Sequence, residues 1–274
     1  TLEWNRRQRQ MCIRDRAVHS ATTGIEAVDA AIVELYRGGY MHNHMRMYTA
    51  ALACNIGKSH WRVPAQWMYY HLLDGDWASN ALSWQWVAGA NANKKYIANQ
   101  ENINKYFHSR QRGTFLDVSY EELAELAVPE VMRDTDVPAL TVDLPVNDTL
   151  DIDPQLPTLV YNYYNLDPAW REHQQANRVL LLEPSVFRRY PVAARNIEFV
   201  RARADNIAGM QVMTAEFDEL ERLAGQGGIL YKEHPLNSHY RGSEDARDWM
   251  FMVQGYYPSF FAFWKLCKKE MALW

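Results

Sequence analysis

Asp74-Gly75-Asp76-Trp77-Ala78-Ser79-Asn80, followed after three residues by Trp84-Gln85-Trp86, concentrates carboxylates, an amide and indoles within 13 residues. Gly75 breaks the chain, which then resumes as a helix through Ala78, Leu82 and Trp86. On that helix Asp76, Asn80 and Trp84 fall at successive i, i+4 positions and share a face, whereas Trp86 points nearly the opposite way. One indole can thus serve the interior and the other a pocket. Upstream, Asn43, Arg46 and Met47 stand at i, i+3, i+4, which puts an amide, a guanidinium and a thioether on one face. Asp74 is the natural partner of Arg46, because a buried guanidinium without a counter-charge is costly.

Outward from this stretch the pattern stays helical. Val28, Ala31, Ile32 and Leu35 have three-and-four spacing and end at Gly38-Gly39, a C-terminal stop. A second helix is expected over residues 44–56, ended by Gly57. Pro64 then sits where a first helical turn tolerates it, leading Trp67, Met68 and His71 toward Asp74. Beyond Asn91 the chain is rich in Asn, with Lys94, Lys95 and Lys105, and reads as a long surface loop. Ser119 with Glu122 predicts a capped helix over 119–126.

Pro129, Pro138, Pro145, Pro154 and Pro157, with many aspartates between them, mark residues 127–176 as a linker or extended wrap. After it the rhythm changes: strands are expected at 179–182, 210–214 and 229–231, an amphipathic helix at 192–207, and a closing helix at 256–273 packed on that layer. The fold class read from these patterns is mainly α: a helical bundle over 1–126, the linker, and a small α/β unit over 177–274. No glycine-rich phosphate fingerprint follows Leu182, so the α/β unit reads as structural or as an interaction surface.

Composition narrows the rest. With 48% hydrophobic and 23% charged residues in 274, the chain can bury a full core, which excludes disorder. A formal charge of -4 means that any nucleic-acid contact needs a local basic patch. Cys12, Cys54 and Cys267 lie far apart, which suits a reducing compartment and no paired metal site. No apolar run approaches a membrane span of roughly 18 residues, so a cytoplasmic protein is expected. Residue 1 is Thr, so a piece of a longer chain is expected, and residues 1–16 carry little weight.

The blocks Thr23-Gly24-Ile25 with residues 28–31, Gly39 through Met47, Asp74 through Asn80, and Trp84-Gln85-Trp86 resemble the FAD-binding module of the photolyase and cryptochrome family, in its order and nearly its spacing. The resemblance covers about residues 23–107. It implies FAD as cofactor, held by Asn43, Arg46, Asp74, Asp76 and Asn80. Asn80 stands where the family faces the flavin N5, and an Asn there is the repair-type choice. Trp84 and Trp61 match the first two members of an electron-hopping chain, with Trp4 as a candidate third. Trp86, Met47 and Asn43 match lesion-pocket positions. Damaged DNA carrying a pyrimidine dimer is the implied partner, and light-driven repair by reduced FAD the implied activity. No match exists for the family's upstream segment, which carries its diphosphate loop, so a missing upstream half of the protein is a further expected partner. His44 replaces a usual Arg.

Other readings compete. A cryptochrome-like photoreceptor would use the same pocket for signalling, and a silent scaffold fragment would hold no flavin. His42 and His44, i, i+2 on a helix, point apart and predict no metal site. His71 reads as a core histidine. Lys232, Glu233, His234 and His239 resemble an acid/base cluster but read as a solvated loop after a strand. The Trp cluster by itself reads as core.

Overall fold

A computed structural model describes residues 16–91, 94–146 and 150–272. The chain forms two compact units, Thr1–Val146 with Glu183–Asp205, and Asn147–Leu182 with Asn206–Trp274. Trp4 and Cys12 lie outside the described residues.

The first unit is helical: α1 (Arg16–His19), α2 (Glu26–Gly38), α3 (Asn43–Ala51), α4 (Arg62–His71), α5 (Trp77–Val87), α6 (Gln100–Phe107), α7 (Tyr120–Glu125), α8 (Pro184–Arg189) and α9 (Ala194–Ala204). Asp29 ties down the entry to α2, its carboxylate accepting from Thr23 N, Thr23 Oγ1 and Gly24 N. Gly39 ends α2 at φ 69°, donating its N–H to Leu35 O. The stripe of Val28, Ile32 and Leu35 is buried as the spacing requires.

The helix expected over 44–56 is two pieces, since α3 passes into a π-helical turn, Leu52–Ile56, closed by Gly57 donating to Leu52 O at 2.8 Å. Within that turn the buried Asn55 donates its side-chain amide to Val87 O and Tyr96 O. Pro64 is the third residue of α4, where its missing N–H costs no helical bond. Trp67, Trp84, Met45 and Met68 are fully buried in the core.

Two expectations fail here. The segment beyond Asn91 read as loop contains α6, because its asparagines serve the helix: Asn99 Oδ1 caps Asn102 N, and the buried Gln100 bonds Asn104 and Thr114. The helix assigned to the α/β unit, α9, packs instead with the helical unit: Ala193 N donates to Tyr70 O, Asn196 Nδ2 to Leu72 O and Arg195 Nη2 to Tyr36 O.

The second unit holds a parallel sheet of β1 (Thr158–Tyr161), β2 (Asn177–Leu182), β3 (Met210–Thr214), β4 (Ile229–Lys232) and β5 (Ser243–Asp245) in the order β3-β2-β1-β4-β5. Its helices are α10 (Phe217–Ala224) and α11 (Phe260–Met271). The central strand β1 lies inside the stretch read as linker. All four of its residues are buried, so it lacks the alternation that betrays a half-exposed strand. Along the expected face of α11, Cys267 is buried and Phe263 and Trp264 are half-buried, while Phe260 at its start is 64% exposed. No helix among the described residues is long and apolar enough to cross a membrane.

Candidate functional site

Two helix faces and one turn of the first unit enclose a cavity of about 240 Å³. From α3 come Asn43, Arg46, Met47 and Ala50, spaced i, i+3, i+4, i+7. From α5 come Ser79, Asn80, Ser83, Trp84 and Val87 on the equivalent face, with Asp76 at the cap. Leu72, Asp74 and Gly75 close it from the turn between α4 and α5.

Arg46, Asp76 and Asn80 are each held by a named partner. Arg46 Nη2 meets both oxygens of Asp74, at 3.0 and 2.9 Å, and Arg46 Nε donates to Met41 O at 2.7 Å. The guanidinium is thereby fixed from two sides while Asp74 stays largely exposed. Asp76 caps α5, its Oδ1 accepting from Ser79 N at 2.7 Å, which puts a carboxylate at the start of the helix where the dipole favours it. Asn80 donates its side-chain amide to Ala65 O at 2.7 Å. That bond orients the amide, so its Oδ1 remains as acceptor and the second N–H as donor.

Of the residues singled out in the sequence, Asn43, Arg46, Met47, Asp74, Asp76, Asn80 and Trp84 line this one cavity. Trp61 and Trp86 are not among its lining residues. Trp61 directly precedes α4, partly buried against the core, with its ring 5.5 Å from that of His60. Trp86 is 47% exposed and leans on Tyr96 at 5.6 Å, on the side of α5 away from Trp84. It therefore does not share a pocket with Met47 and Asn43, the two residues it was grouped with. Sequence reasoning missed Ser79 and Ser83, although their offsets from Asp76 and Asn80 put them on the same face, and the carbonyls of Ala65 and Met41, which carry no sequence signal.

His42 and His44 also depart from expectation. Their rings stack at 5.8 Å, because His42 is the cap of α3, outside the helical spiral. Among the described residues no group of three His, Cys, Asp or Glu could hold a metal ion. His71 is pushed down to about 4, first by burial, then by the Arg195 guanidinium and by His19.

The FAD-binding domain of DNA photolyase matches residues 1–143. This chain belongs to that family. FAD is the cofactor the photolyase domain binds. A deoxyribodipyrimidine photo-lyase of Streptomyces griseus is 37% identical over 109 residues, 39% of this chain and 24% of that protein. The Agrobacterium fabrum photo-lyase is 43% identical over 70 residues, 26% of this chain and 15% of that protein. A Neurospora crassa protein named as a mitochondrial cryptochrome DASH is 31% identical over 108 residues, 39% of this chain and 14% of that protein. The chain thus spans a quarter or less of the length of these relatives. No solved structure matches it.

The cavity fits one end of such a cofactor. Met47, Ala50, Leu72, Trp84 and Val87 offer apolar surface, and Arg46, Asn80 and two serines offer polar atoms, the set a flat heterocycle with a polar edge requires. At about 240 Å³ it falls below the roughly 300–1,000 Å³ of drug-sized ligand sites, and its one lining cation is already paired with Asp74. A ring system fits here. A diphosphate needs donors from elsewhere.

Proposed function

We propose that the photolyase-family unit of this chain forms the flavin-ring end of a light-driven repair site acting on pyrimidine dimers in DNA. The observation that carries the reading is the convergence of Arg46, Asp74, Asp76, Asn80 and Trp84, drawn from two helices and a turn, on one cavity. Bound FAD would supply the electron chemistry, giving an electron to the dimer after excitation and taking it back once the ring has split.

The chain's own residues do the rest. The Arg46–Asp74 pair sets a fixed charge beside the cavity, held in register by the Met41 carbonyl. Asn80, anchored to Ala65 O, directs a neutral amide inward, able to accept from or donate to a ring nitrogen without adding charge. Trp84, buried to 1% exposure, provides an oxidisable indole at the wall and excludes water. Met47 and Asn43 offer a soft apolar contact and an amide to the incoming bases of the lesion.

The relative named as a cryptochrome favours a second reading, a flavin photoreceptor using the same cavity. One experiment separates them. The flavin-loaded protein is illuminated with an oligonucleotide carrying a cyclobutane dimer. Loss of dimers in the light supports repair, and flavin photoreduction without such loss supports the photoreceptor. Trp84→Phe should keep flavin binding but slow photoreduction; an unchanged rate removes Trp84 from the electron route.

A further inference from the structure

The sheet of the second unit runs from β1 outward through β2 to β3, then crosses to β4 and β5 on the other side, so its order reverses between β1 and β4. In open parallel sheets, the loops leaving the carboxyl ends of the two strands at such a reversal part and leave a crevice, the usual ligand site of the architecture. A cavity of about 110 Å³ stands there, lined by Tyr164, Asn165 and Asp167 beyond β1, Lys232, Glu233 and His234 at the end of β4, and Arg247 and Asp248 beyond β5, so that three carboxylates face its two cations. The crevice thus belongs to β1 and β4, not to β2, whose end at Leu182 leads into no glycine loop. Lys232, read from sequence as part of a solvated loop, is only 9% exposed.

The charges here are arranged unusually. Lys232 Nζ is paired at 2.9 Å with Asp248, whose side chain is 83% exposed. A buried cation needs a counter-anion, and this one is a hydrated surface carboxylate that loses little by swinging away. Arg247 donates its backbone N–H to Glu233 Oε2 at 3.3 Å, while its guanidinium lies 3.7 Å from Glu233 Oε1 and over the Trp249 ring at 4.4 Å. His234 accepts from Leu236 N through Nδ1, so its proton sits on Nε2, which is a donor.

The frame around these groups is built. Asn237, buried to 3%, donates to Lys232 O and accepts from Asn162 Nδ2, tying the loop after β4 to the loop after β1. Tyr164 and His234 stack at 4.7 Å and 15°, a flat wall. Asp167 offers a carboxylate to hydroxyl groups. No glycine occurs at 162–167 or 233–237, so there is no backbone nest for a diphosphate.

We propose that this crevice binds a phosphate monoester of a small hydroxylated compound, the phosphate displacing the Asp248 carboxylate between Lys232 and Arg247. At about 110 Å³ the crevice takes the phosphate end only; the base of a mononucleotide would extend past it along the Tyr164 and His234 rings, which favours a mononucleotide over a bare sugar phosphate.

Calorimetric titration of the full chain with inorganic phosphate, ribose 5-phosphate and AMP tests this. Saturable binding of the monoesters is expected, weakened at least about tenfold by Lys232→Met, the loss of one charge-assisted bond. Asp248→Asn, which removes the competing anion, should tighten binding several-fold. Arg247→Ala, at the surface, should weaken it several-fold even where Lys232→Met fails to fold. No saturable binding by either the natural chain or Asp248→Asn overturns the site, as does affinity indifferent to both Asp248→Asn and Arg247→Ala. Tighter binding of AMP than of ribose 5-phosphate supports the ring wall; equal affinity overturns that part.

Discussion

Asn80 owes its orientation to a single backbone carbonyl. Because its amide donates to Ala65 O, Asn80→Asp would set an anion against an acceptor inside a half-enclosed cavity. A loss of roughly 1–3 kcal/mol of stability is expected, together with a changed flavin redox equilibrium. Urea unfolding and a flavin titration read the two effects, and a variant of native stability would remove the Ala65 contact from the account. His19 and His71 carry a pH dependence. Burial pushes both down to about 4, for His19 against the opposing pull of Asp136. The unfolded chain protonates them near 6.5, so between those values it binds more protons than the folded chain. Stability is therefore full above about pH 6.5 and declines toward pH 4. A tenfold change in proton affinity corresponds to about 1.4 kcal/mol, which makes the loss on the order of a few kcal/mol. Urea midpoints at pH 7 and 4.5 measure it, and His71→Phe should flatten the slope; an equal slope in the variant would assign the loss to other groups.

At the scale of elements, the helix ends are where sequence and structure agree best. Ser119 and Glu122 form the reciprocal capping box their spacing predicts, and Gly39 ends α2 in the left-handed conformation. Ser119→Ala should cost about 1 kcal/mol, an exposed cap's usual value. Gly39→Ala should cost more, since its Cβ would stand 2.6 Å from Leu73 Cγ in a conformation L residues disfavour. Thermal unfolding of the two variants checks the ranking, and an equal or reversed order would count against it. The elements that escaped notice share one cause. In α6 the asparagines look like loop residues until their partners are known, and β1 is too short and too uniformly buried to show a period. The burial of Lys232 is hidden for the same reason: it is imposed by neighbouring strands, not by adjacent residues.

For the whole molecule, two compact units in one chain imply two separately stabilised cores. FAD should protect amides of the first unit, by about 2.7 kcal/mol at a hundredfold excess over its dissociation constant, and leave those of the second unchanged. Hydrogen exchange with and without FAD reads this directly, and protection spread equally over both units would show them to be one cooperative body. The segment Glu183–Asp205 should follow the first unit although it lies between two strands of the second.

The sequence by itself determined the helical periodicities, the caps and stops of the helices, the family, and the faces on which Arg46, Asn80 and Trp84 stand, because these depend on neighbours a few residues away. Only the tertiary structure decided that Asn80 is anchored to the Ala65 carbonyl, that α9 joins the helical unit, and that a reversal in strand order opens a crevice around Lys232. Those outcomes depend on contacts between residues far apart in the chain, whose energies no local pattern records.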